Sequence, residues 1–81
     1  MEALVREIVL PMISNKQALM IKTIPGSDNQ PAEIIVITDK TDTARLIGKS
    51  GSVANAIRKV VSIKARLDNA HVKVKFESYD E

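Results

Sequence analysis

The chain has no cysteine and no tryptophan, and only one phenylalanine, one tyrosine and one histidine among 81 residues. Without cysteine there is no disulfide framework and no thiolate metal site. Phe76 and Tyr79 are too few to build the stacking platforms on which aromatic sheets seat bases, so that mode of recognition is not expected. His71 is the lone histidine and sits where a strand should start. Ser50 and Ser52 have no base near them in sequence, and Asp39 and Asp42 read as helix caps. With no nucleophile, acid–base pair or metal cage, neither an enzyme nor a metal or cofactor is expected. No apolar run approaches the ~20 residues of a membrane span. Met1–Leu10 carries Glu2, Arg6 and Glu7, which interrupt the apolar stretch a signal peptide requires.

Glycine is also scarce, and its placement is informative. Two of the three glycines frame Gly48-Lys49-Ser50-Gly51. They separate two apolar-periodic segments, Thr43–Ile47 and Val53–Leu67. Gly48 can end the first helix in a conformation other residues resist. Gly51 has no Cβ, so another backbone can come close. The helix that follows opens with unpaired N–H groups and partial positive charge, which suits a phosphate, and Lys49 adds a full charge. A tight helix–helix turn would use the same residues for steric reasons alone. A nucleotide-binding P-loop does not fit. It needs glycine at position 43, where this chain has Thr43.

Net charge is only +2, but it is unevenly spread. Residues 40–75 hold nine Lys/Arg against two acids, whereas residues 1–39 hold three basic and five acidic side chains. The basic half is the half with the glycine loop. A basic face beside an anion-binding turn favours a nucleic acid partner; a solvated helix face is the plainer alternative.

Residues from Glu2 to about Ile13 read as a helix, with Leu4, Val5, Ile8, Val9 and Met12 on one face. Pro11 should kink it or end it early. Ala18–Ile24 and Glu33–Thr38 read as an antiparallel hairpin with a loose, turn-rich loop at residues 25–31. A short helix over about Asp42–Ile47 precedes the glycine loop, and Ser52–Leu67 is the longest helix. Val72, Val74 and Phe76 alternate with Lys73, Lys75 and Glu77, the mark of a one-sided strand. The expected class is α+β, ordered α-β-β-α-α-β, with three strands covered on one face by helices.

In the long helix, Asn55, Arg58, Lys59, Ser62 and Arg66 share a polar side. Val53, Ala56, Ile57, Val60, Ile63 and Leu67 lie opposite and are expected to face the sheet. Ala54, Val61 and Ala65 widen the apolar arc to about 200°, more than a core stripe needs. Those three are therefore the expected surplus, as a subunit interface or the floor of a ligand groove.

The run from Leu46 and Ile47 through Gly48-Lys49-Ser50-Gly51 to Ala56-Ile57-Arg58 resembles the core of a KH domain. In that module a GxxG loop clamps the backbone of about four nucleotides of single-stranded RNA. Residues 1–77 together resemble the small bacterial single-KH proteins of the KhpA family, with residues 78–81 left as a short acidic tail. The resemblance implies a type II KH fold, a cytoplasmic location and single-stranded RNA as ligand. It further implies a homodimer, a larger KH-domain partner protein of the KhpB type, and a role as RNA chaperone tied to cell shape and envelope growth. Carried over by position, Arg45, Ile47, Gly48, Lys49, Ser50, Gly51, Asn55 and Arg58 would bind RNA. Two positions depart from the pattern: Ala44 where relatives often have glycine, and Ser52 where a basic residue is common. A KH fold that serves only protein–protein contact is the alternative.

Overall fold

Pattern and proline dictate the first third of the chain. In the computed structural model, which describes residues 1–79, helix α1 spans Glu2–Val9 and buries Val5 and Val9. Pro11 ends it early, and the chain tightens into a 3₁₀ turn over Leu10–Met12. A second 3₁₀ turn, Lys16–Ala18, leads into strand β1, Met20–Ile24. Strand β2, Ala32–Thr38, returns antiparallel, with Met20 opposite Ile37 and Ile24 opposite Glu33. The loop between them is more ordered than its composition suggests. Ser27 and Gln30 exchange backbone hydrogen bonds of 2.9 and 3.2 Å.

Helix α2 (Lys40–Ile47), the glycine loop and helix α3 (Ser52–Leu67) then cross over to strand β3, Val72–Ser78. This strand pairs with β2 in parallel, from Ala32 opposite Val72 to Thr38 opposite Ser78, giving the order β1-β2-β3. A parallel pair requires such a crossover. Ser78 is therefore sheet rather than tail, and the Tyr79 N–H donates to the Thr38 carbonyl. Asp80 and Glu81, the rest of the expected tail, lie outside the described residues.

Ile34, Val36 and Val74 alternate onto one sheet face and join Val5, Val9, Leu46, Ile57 and Val61 in a single core. All three helices thus pack on the same side. The open face carries Lys22, Lys73 and Lys75 in exposed positions, and Lys75 reaches Glu33 at 3.1 Å. The start of α2 is pinned from within. Asp39 caps it by accepting from the Asp42 N–H at 2.9 Å. The buried Thr43 hydroxyl lies 2.6 Å from that of Thr38, 2.8 Å from the Asp39 carbonyl and 3.2 Å from the Glu77 carbonyl. These bonds fix α2, and the loop it leads into, against the ends of β2 and β3.

One expectation about α3 is overturned. The residues that face the sheet are Ala54, Ile57, Val61 and Ala65. Val61 has no exposed surface at all, and burying it fully stabilises the fold by roughly 1.5–3 kcal/mol. Ala54, Val61 and Ala65 are core and cannot form an interface. The surplus is on the outside instead, where Val60, Ile63 and Leu67 are 49%, 60% and 75% exposed. Size explains the choice: two alanines let the helix lie close on the sheet, and the bulkier aliphatics would hold it away. Among the described residues, no helix is long and apolar enough to cross a membrane.

Candidate nucleic-acid interface

The glycine loop is built on backbone that side chains resist. Gly48, Ser50 and Gly51 all have positive φ, at 75°, 56° and 78°. Gly48 closes α2 by donating from its N–H to the Ala44 carbonyl at 3.0 Å. Its ψ of 177° puts it in a region open in practice only to glycine. A Cβ there would stand 2.4 Å from Val53 Cγ2, so Gly48 is also demanded by packing. Gly51 differs. It is left-handed, and a Cβ on it would meet nothing nearer than Asn55 Nδ2 at 3.8 Å. Space around it is open on the outer side, where a ligand backbone could approach.

Lys49–Gly51 forms a single 3₁₀ turn, and Gly51 is the N-cap of α3 without any side-chain cap. The positive end of the helix therefore faces outward, uncapped by any side chain. Lys49 and Ser50 are exposed. Lys49 forms no ion pair among the described residues, in contrast to Arg6, Arg45 and Lys75.

From this loop a trough runs along the polar side of α3. Asn55, Arg58, Lys59, Ser62, Ile63 and Arg66 line a groove of 550 Å³. Arg58 is held in place rather than free. Its Nε donates to the Val74 carbonyl of β3 at 3.0 Å, and Nη1 donates to Asn55 Oδ1 at 3.3 Å. The guanidinium carbon stands 5.5 Å from the centre of the Phe76 ring, a cation–π arrangement. Asn55 and Arg58 thus form one rigid unit between the loop and the sheet edge. Lys59 and Arg66 form no ion pair among the described residues, so their charge is available to a polyanion.

Not every expected site residue joins this trough. Ile47, the last residue of α2, is 38% exposed beside Gly48. Arg45 belongs to a separate cluster. Its Nη1 donates to Ser14 Oγ and lies 3.4 Å from Asp42 Oδ1. Asp42 itself is buried, and its two carboxylate oxygens accept from the Ser14 and Asn15 N–H groups at 2.9 Å each. Those two bonds, aided by Arg45 and Lys16 and opposed by burial, hold its carboxyl below the usual value of 3.8. Asp42 is therefore a tie between α2 and the turn after α1, beyond the capping role its spacing suggested. Lys59, Ser62 and Arg66 were visible as a polar stripe, but only the groove shows that they continue the loop. Phe76 gave no such signal, because a strand alternation cannot say which helix residue lies over its ring.

The sequence model of the family described as KhpA/KhpB, KH domain, matches residues 2–76. No curated protein and no solved structure matches the chain. The match agrees with the order of elements, the mixed three-stranded sheet and the position of the glycine loop. The chain belongs to the KhpA/KhpB family, whose KH domain it carries over residues 2–76, and is of the KH RNA-binding type.

Proposed function

We propose that this protein grips single-stranded RNA along the side of α3. The carrying observation is the uncapped helix start at Gly51, with Lys49 beside it and the trough of Asn55, Arg58, Lys59 and Arg66 leading away. The loop holds the sugar–phosphate backbone through the Lys49 and Ser50 N–H groups and the Lys49 ammonium, since the Gly48 and Gly51 N–H groups are bonded to the Ala44 and Gly48 carbonyls. Arg58, fixed on β3, and Asn55, bonded to Arg58, meet the bases. Arg45 serves the Ser14–Asp42 cluster first and contributes only general positive charge.

Replacing Lys49 and Ser50 together by aspartate sets two negative charges at the clamp. Affinity for an unstructured RNA should fall more than tenfold while the fold survives. For wild type, two or three neutralised phosphates give a slope of log K against log salt of about −1.5 to −2 on single strands. A double mutant that binds as wild type refutes the clamp. The absence of any RNA signal would leave the chain a protein–protein module.

The protein acts in the cytoplasm as a dimer, or beside a larger KH-domain protein of the KhpB type, and serves as an RNA chaperone with effects on cell shape and envelope growth. Family membership supports the partnership. Ala56, Val60, Ile63 and Leu67 recur on the outer face of α3, away from the sheet, and supply an apolar seam for it. Two linked grooves raise avidity by on the order of a hundredfold. Ile63→Asp should give a folded monomer at concentrations where wild type sediments as a dimer, whereas Val61→Asp should not fold. A wild-type monomer at high concentration rules out the homodimer.

A further inference from the structure

At the far end of α3, a cavity of 790 Å³ opens between the helix, the turn that follows it and the β1–β2 loop. It shares Ser62 and Arg66 with the trough, so the two adjoin at these side chains. At 1.5 Å per residue, Arg66 lies about 20 Å from the start of α3. Ala65 and Val72 contribute apolar surface. Asp28, Asn29, Gln30, Arg66, Asn69 and His71 surround it.

The walls are built rather than incidental. Residues 27–30 are closed by their two mutual hydrogen bonds. The Ala32 N–H donates to the His71 carbonyl at 3.1 Å, which ties the loop to the turn. Asn69, at φ 56°, turns the chain out of α3, and the N–H groups of Asn69 and Ala70 return to the carbonyls of Arg66 and Ala65 at 3.0 and 2.8 Å. The side chains of Asp28, Asn29, Arg66, Asn69 and His71 make no hydrogen bond or ion pair among the described residues.

That donor–acceptor mixture does not suit a phosphate. A phosphate site would gather cations and exclude the Asp28 carboxylate. It does suit the edge of a base splayed out of a single strand, read by a guanidinium fork, a carboxylate and amides. Arginine offers two donors in the geometry that matches the O6 and N7 acceptors of guanine, and a carboxylate accepts from the guanine N1–H and N2–H₂ groups. We infer that the cavity at the end of α3 is a base subsite of the RNA trough, with Arg66 and Asp28 selecting guanine. This rests on the RNA-binding reading above and adds to it the source of sequence preference.

The test uses the full chain and labelled single-stranded octamers, either all uridine or uridine with one guanosine or one adenosine at each position in turn. Wild type should bind the best guanosine octamer on the order of tenfold more tightly than all-uridine. Asp28→Asn should erase that preference while affinity for all-uridine stays within about threefold. Arg66→Ala should erase it too, with a further loss shared by every octamer because Arg66 also lines the trough. Arg66→Lys should restore the charge without the preference, because a lysine has no planar fork. Both positions are exposed, so melting curves should match wild type. Equal binding of every octamer by wild type overturns the subsite and leaves the clamp standing. So does a preference that survives Arg66→Ala or Asp28→Asn. Wild-type affinity in the Lys49→Asp, Ser50→Asp protein overturns the clamp and the subsite together.

Discussion

The two ends of α3 use the same backbone device for opposite purposes. At its start, positive φ at Gly48, Ser50 and Gly51 turns the chain so that the helix opens with no side-chain cap. At its finish, positive φ at Asn69 turns the chain back, and the Asp68, Asn69 and Ala70 N–H groups return to the Ala65 and Arg66 carbonyls. The closed end is bonded back on itself, while the open end keeps N–H groups that no side chain caps. A Ser, Thr, Asp or Asn at this N-cap would add only a few tenths of a kcal/mol over Gly51, so leaving it uncapped costs the helix little.

The sharpest way to break this contrast is Gly48→Ala. The new Cβ would overlap Val53 and occupy a backbone region that only glycine tolerates. A loss of about 3 kcal/mol or more is expected in denaturant unfolding. Wild-type stability would show that the loop is not held as described. Gly51→Ala should be milder, about 1–2 kcal/mol, because only the left-handed conformation is at stake and the space is open. If the two glycines ranked the other way, the packing of Gly48 on Val53 would be wrong. At the closed end, Asn69→Gly should change stability by less than about 0.5 kcal/mol, and Asn69→Ala should cost about 1 kcal/mol. Neither should alter affinity for all-uridine RNA.

The smallest effect concerns pH and the helix that carries the open end. Asp42 has a folded value below its ordinary 3.8. The unfolded chain therefore takes up the proton first as pH falls. The stabilisation from Asp42 is complete above 3.8 and is lost as pH drops through the lowered folded value. The difference in melting temperature between wild type and Asp42→Asn should be constant from pH 7 to 5 and narrow below 3.8. A difference that narrowed near neutrality would point to another group.

Much of this was legible in the residues, and what was not has a common cause. Short-range periods set the order of the elements, the early stop at Pro11 and the glycine loop, because each depends on neighbours within a few positions. The buried side of α3 was misjudged because its apolar arc was too wide to have one centre. Which half goes inward depends on how near the sheet can come, and that is decided by Ala54 and Ala65. The link from Asp42 to Ser14 and Asn15 spans 27 or 28 residues, and capping explained Asp42 well enough that nothing prompted a second partner. The cavity at the end of α3 draws on three separate segments, a helix face and two stretches that read by themselves as ordinary turns.

The parallel pairing of β3 with β2 also has a consequence in time. Arg58 is anchored by the Val74 carbonyl and the Phe76 ring, both on the strand that is made last of the three. During synthesis, α2, the glycine loop and α3 emerge before the support that aims Asn55 and Arg58 exists. A nascent chain halted before Val72 would carry the loop and α3 without the anchor that aims Arg58. Competence to hold RNA therefore arrives as one late event, when β3 docks, and not gradually as the chain lengthens.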